Sequence, residues 1–219
     1  MFRIKICGIT TPDDARAVVQ AGADAVGLNF FPGSPRFVTP TAAHQIVDTL
    51  PDTVVKVGLF VNAAVEHIRE VYEVLGLDLI QLHGDEPPEL IAELGQRPVM
   101  RAFRIGPEGL RPVTEYLHRC RWCECMPQLV LFDAHVPGQY GGTGATAEWA
   151  ALRRYPAEVD FPPFVLAGGL TPQNVADAIT AIHPSAVDTA SGVETSPGRK
   201  DPAAIKAFVR AAIAAFDDA

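Results

Sequence analysis

Eight short apolar runs, each followed by a stretch with helical spacing or helix-start residues, recur along the whole chain of 219 residues. The predicted strands are 3–7, 25–30, 54–60, 79–83, 99–103, 129–133, 164–167 and 186–189. The predicted helices between and after them are 13–23, 42–50, 65–75, 86–94, 108–117, 147–155, 174–182 and 202–216. Strands that alternate with helices pair in parallel, because each helix carries the chain back across the sheet. Eight such units of about 27 residues each are what a closed parallel barrel needs. An open doubly wound sheet usually has fewer strands and a Gly-rich first turn, whereas the first turn here reads CGITTP. The expected fold is α/β: a single-domain TIM (β/α)8 barrel over residues 1–219.

In such barrels, ligands sit at the C-terminal ends of the strands. The seventh and eighth predicted strands run FVLAGGL and AVDTASG, each ending in glycine and small polar residues. Gly168, Gly169, Ser191 and Gly192 would let backbone N–H groups converge on one anion, most simply a phosphate. Thr171 followed by Pro172 reads as the N-cap and first position of the next helix. The loops richest in Gly and Pro, at 32–40 and 135–144, follow strands 2 and 6 at the same end.

Reactive side chains collect there too. Cys7 ends strand 1 and shares a strand face with Lys5, a cation able to lower the thiol pKa and make it a base or nucleophile. The alternative for Cys7 is a small buried hydrophobe. Asp133 ends the apolar strand 6, where an acid is costly unless solvated, paired or functional. A thiol and a carboxyl across one mouth suit proton removal on one side of a substrate and delivery on the other, with no cofactor. His83, at the end of strand 4, fits an acid, a base, a substrate contact or a turn histidine bonded to backbone. Arg36, in the loop after strand 2, is a candidate two-point carboxylate clamp. His135 reads as an exposed loop histidine.

His118, Cys120, Cys123 and Cys125 spell HxCxxCxC, but the spacing is not that of a zinc ribbon or finger. The segment lies between helix 5 and strand 6, away from the mouth, and is read as a loop carrying partly buried free thiols, with no metal. Four cysteines in a chain this long do not make a disulfide framework. A net charge of −8, without clustered Lys or Arg, argues against nucleic acid as a partner. No apolar run approaches the roughly 20 residues of a membrane span, and the opening MFRIKICG has no signal segment, so a cytoplasmic protein is expected. Barrel helices are apolar whether they pack internally or against a second copy, which leaves monomer and homodimer both open.

Taken together, KICGIT at 5–10, GSPR at 33–36, QLHGDE at 81–86, LFD with GGTG at 131–144, LAGGLTPQNV at 166–175 and SGVETSPGRKD at 191–201 resemble phosphoribosylanthranilate isomerase. The resemblance spans nearly the whole chain, in order, with its motifs at the strand ends. It implies an Amadori rearrangement in tryptophan biosynthesis, without a cofactor, on a small phosphorylated substrate. In the family's pattern Cys7 is the general base, Asp133 the general acid and Arg36 the ligand of the anthranilate carboxylate. Gly168, Gly169, Ser191 and Gly192 form the phosphate cradle, and Gly142 with Gly144 closes over the substrate. Ala190 departs from the pattern, standing where the family often has serine. A histidine-pathway aminoaldose isomerase, built on an aspartate pair, and a catalytically silent phosphate binder on the same scaffold are the competing readings. Cys7 speaks against the first, and Cys7 with Asp133 against the second.

Overall fold

In the computed structural model, which describes residues 1–133, 152–155 and 161–218, eight strands close into a barrel in sequence order. They are β1 (Ile4–Cys7), β2 (Ala25–Asn29), β3 (Val55–Phe60), β4 (Leu79–Leu82), β5 (Val99–Arg104), β6 (Leu129–Asp133), β7 (Phe164–Ala167) and β8 (Ala186–Thr189). Every neighbouring pair is parallel, and β1 closes on β8 with Lys5 opposite Asp188. Among the described residues seven helices accompany them: α1 (Pro12–Ala21), α2 (Pro40–Val47), α3 (Val65–Leu75), α4 (Pro88–Leu94), α5 (Arg111–Trp122), α6 (Val175–Ile182) and α7 (Pro202–Asp217). The helix expected over 147–155 lies largely outside the described residues.

Local chemistry sets the helix starts. Thr11 accepts a hydrogen bond from Asp14 N at 3.1 Å with Pro12 in the first turn, and Asp201 caps Ala203 N at 2.9 Å ahead of Pro202. Both follow from the preference for an oxygen cap before proline. Two expectations need correction. The cap expected at Thr171 with Pro172 as the first helical position is instead a turn over 172–174, because Asn174 Oδ1 accepts from Thr171 N at 2.7 Å, and the helix starts at Val175, one residue after the expected 174. The fifth helix is predicted over 108–117 but runs from Arg111 to Trp122, so Cys120 is a buried helical residue and not part of a loop.

Because strand side chains alternate between faces, each strand feeds two layers. Ile4, Ile6, Ile80, Leu82, Val130, Phe132, Leu166 and Val187 pack outward under the helices. Ala25, Val57, Leu79, Met100, Leu129, Leu131, Val165 and Ala186 fill the barrel interior. The same alternation turns Lys5, Cys7, Gln81, Asp133 and Asp188 inward. Beyond β8 the chain makes a short 3₁₀ turn, Ser191–Val193, and an antiparallel pair, β9 (Glu194–Ser196) with β10 (Arg199–Lys200), which the sequence reading did not anticipate. Among the described residues no helix is long and apolar enough to cross a membrane.

Candidate active site

In a closed parallel barrel all C-terminal strand ends face one way, so Cys7, His83, Asp133 and the loops after β7 and β8 share one mouth. Cys7 is almost fully buried. Lys5 Nζ donates to Asp188 Oδ1 at 3.0 Å and stands beside the Cys7 sulfur, close enough to act on its charge. Burial pushes the thiol pKa up, and although Lys5 pulls the other way, burial wins. The lowered pKa expected from a neighbouring cation is therefore not realised. Burial works against the Lys5 charge as well, but Asp188 and Cys7 outweigh it and hold the ammonium above its ordinary range. For Asp188 burial outweighs Lys5 and raises the carboxyl. We take the pair as ionic, because the acceptor sits at hydrogen-bond distance from a fully enclosed ammonium.

On the opposite side of the mouth His83 Nε2 lies 3.5 Å from Asp133 Oδ2. Gln81 Nε2 sits 3.0 Å from His83 Nδ1. His83 Nδ1 faces the Gln81 amide, and Nε2 faces the Asp133 carboxyl. His83 is thus a partner of Asp133 rather than a turn histidine. The loop behind it is anchored by Glu86, which accepts from Asn62 N and Gly84 N at 2.8–2.9 Å, and by Arg101, whose guanidinium bonds the Leu82 and Gly84 carbonyls at 3.0 Å each.

Arg36 reaches the mouth with its stem pressed against Gly8, where a Cβ would have no room. Its Nε and Nη2 donate to the two oxygens of Glu194 at 2.8 and 2.6 Å. Lys200 Nζ donates to Glu194 Oε1 at 2.8 Å and to the Ala190 carbonyl at 2.9 Å. Burial opposes the Glu194 charge, but Arg36 and Lys200 outweigh it and hold the carboxyl below the usual range. Burial also draws Lys200 below the ordinary ammonium range.

The loops after β7 and β8 are tied together. Thr189 Oγ1 donates to the Leu170 carbonyl at 2.7 Å, and Asn174 Nδ2 donates to the Gly169 carbonyl at 3.0 Å. Gly168 and Gly169 both have positive φ, 85° and 66°, a left-handed turn that side chains disfavour. Gly142, Gly144 and His135 lie outside the described residues. Cys120 and Cys125 sit away from the mouth, with Cys125 Sγ 3.2 Å from the Pro88 carbonyl. Among the described residues no group of three His, Cys, Asp or Glu side chains could hold a metal ion.

Sequence reasoning missed Asp188, Gln81, Glu194 and Lys200. The first two carry a signal, a polar residue at an inward position of an apolar strand. Glu194 and Lys200 enter through the β9–β10 pair, for which no hydrophobic alternation exists.

Fold and site together define a (β/α)8-barrel enzyme with its polar centre at the C-terminal mouth. A model of the N-(5′-phosphoribosyl)anthranilate (PRA) isomerase family matches residues 4–211, and the chain belongs to that family. It is 45% identical to the N-(5′-phosphoribosyl)anthranilate isomerase of Geobacter metallireducens over 213 residues, 97% of this chain and 99% of that one. The corresponding protein of Neisseria meningitidis is 44% identical over 212 residues, 96% of each chain. The crystal structure of phosphoribosyl anthranilate isomerase from Thermotoga maritima is similar with a TM-score of 0.84 at 41% identity, covering 98% of this chain and all of that one. A phosphoribosyl anthranilate isomerase in complex with reduced 1-(o-carboxyphenylamino)-1-deoxyribulose 5-phosphate matches with a TM-score of 0.77 at 37% identity, over 98% of this chain and 100% of that one.

Proposed function

We propose that the chain, as one barrel domain, converts N-(5-phosphoribosyl)anthranilate to 1-(2-carboxyphenylamino)-1-deoxyribulose 5-phosphate in the cytoplasm, as a step of tryptophan biosynthesis. Asp133, the general acid, protonates the furanose ring oxygen and opens the ring to a Schiff base. Cys7, the general base, then removes the proton from C2′, leaving an enolamine that tautomerises to the ketone. Every step moves a proton, so side chains alone supply the chemistry. His83, with Nε2 3.5 Å from Oδ2, orients the Asp133 carboxyl. Arg36 receives the anthranilate carboxylate. The amides at Gly168, Gly169, Ser191 and Gly192 receive the phosphate, with Gly142 and Gly144 closing over the substrate.

The observation that carries this reading is the meeting of a thiol from β1 and a carboxyl from β6 at one end of a closed barrel. Family membership supports the substrate. The test is incubation with N-(5-phosphoribosyl)anthranilate, following the aminoketose by NMR, alongside binding of the reduced product analogue. Turnover is expected. Tight binding without turnover would favour a silent binder, and turnover only of the histidine-pathway aminoaldose would favour the sibling isomerase.

A further inference from the structure

Lys5 and Asp188 form an ion pair sealed inside the barrel, with side-chain exposures of 0% and 8%. Burying two charges costs several kcal/mol each before their attraction repays it, and apolar residues of similar size usually do as well. The surrounding interior is filled by apolar side chains such as Leu79, Met100 and Val165. Packing alone gives no reason for a charged pair at this level.

The geometry around it does. Strand alternation puts Lys5 and Cys7 on one face of β1, and the closing register puts Asp188 across from Lys5. Gly27 stands opposite Cys7. A Cβ there would lie 2.7 Å from the Cys7 sulfur and 3.0 Å from Lys5 Nζ. The missing side chain on β2 is what lets ammonium and sulfur meet, and the same ammonium is bonded to Asp188.

We propose that Lys5 and Asp188 are positioning residues for Cys7: the ammonium supplies the counter-charge for the thiolate, and the carboxylate sets how much of that charge the sulfur feels. Among the described residues the other ionisable groups facing Cys7 are Arg36, from the loop after β2, and Lys200, from β10. Both are joined to Glu194, so that trio carries one positive charge. His83 and Asp133 face Asp188 from the far side. Removing Lys5 takes away the cation beside the sulfur and makes the thiol a weaker acid. Removing the Asp188 charge leaves the sulfur as the anion with which the enclosed ammonium pairs, and makes the thiol a stronger acid. Residues that merely held the barrel together would not move one group in opposite directions.

The consequence for turnover rests on Cys7 being the base, but the effect on the thiol does not, and the two are measured separately. In Lys5→Met and Asp188→Asn, the pH dependence of iodoacetamide alkylation at Cys7 is followed by mass spectrometry of the Cys7 peptide. Lys5→Met is expected to move the midpoint up by about one pH unit or more, and Asp188→Asn to move it down by about half a unit or more. The kcat/KM profile for the PRA substrate is expected to shift likewise, with a loss of about tenfold or more at neutral pH in Lys5→Met that shrinks as pH rises. Midpoints that stay put, or move together, overturn the proposal. If Lys5→Met does not fold by circular dichroism, Asp188→Asn decides alone: a downward shift upholds the proposal and any other result overturns it. Alkylation midpoints that move as stated while kcat/KM does not follow uphold the pair's hold on the thiol and reject Cys7 as the base.

Discussion

The guanidinium of Arg36 and the carboxylate of Glu194 meet side by side, Nε at 2.8 Å and Nη2 at 2.6 Å from its two oxygens. This pairing uses the Nε–Nη2 edge of the fork and leaves the Nη1–Nη2 edge for a second carboxylate. Glu194 is fixed in turn by Lys200, so the orientation of Arg36 is set before any substrate arrives.

The first prediction follows from that fork. Lysine keeps the charge but loses the planar two-point geometry. Arg36→Lys should raise KM for N-(5-phosphoribosyl)anthranilate by about 10- to 100-fold, the scale of a lost charged hydrogen bond, and leave kcat within a few fold. Steady-state kinetics measures the split, and an unchanged KM would remove Arg36 from the substrate's carboxylate.

Glu194 makes a prediction about acid stability. Its folded pKa is depressed despite burial, because Arg36 and Lys200 outweigh it. A depressed carboxylate contributes stability that is full above its unfolded pKa and is lost as pH falls through the folded value. Wild type should therefore lose more melting temperature than Glu194→Gln between about pH 6 and about pH 3. Thermal unfolding monitored across that range checks it, and equal losses would contradict the pairing.

Gly27 gives a prediction about space. A methyl there would press on Cys7 Sγ, Lys5 Nζ and the Cys7 backbone together. Gly27→Ala should cost about 1–3 kcal/mol of stability, as overpacking does, and lower kcat/KM by about tenfold or more through displacement of the base. Denaturant unfolding and kinetics on the same sample report both numbers.

Much of this was legible in the residues. Every strand runs within a residue of its expected bounds, because a parallel strand buried on both faces is written as an apolar run that little else in the chain imitates. Strand ends in turn placed Cys7, His83 and Asp133 at one mouth. Helix ends were harder. Thr171 before Pro172 looks like a cap, but Asn174 bonds back to the Thr171 amide and is itself the residue that caps the helix. The cysteines at 120–125 looked like a loop, yet Cys120 packs inside α5. Glu194 and Lys200 were out of reach for a different reason: their positions depend on a short hairpin and on partners more than 150 residues away, as with Arg36. Asp188 reads as a polar residue in a strand, and only barrel closure reveals Lys5 opposite it.

The most direct test of Cys7 and Asp133 as base and acid is kcat for Cys7→Ser and Asp133→Asn on N-(5-phosphoribosyl)anthranilate, with affinity for the reduced product analogue measured on the same proteins. Each variant is predicted to lose about a hundredfold or more in kcat, with affinity for the analogue within about threefold of wild type. Wild-type turnover in either variant would contradict it.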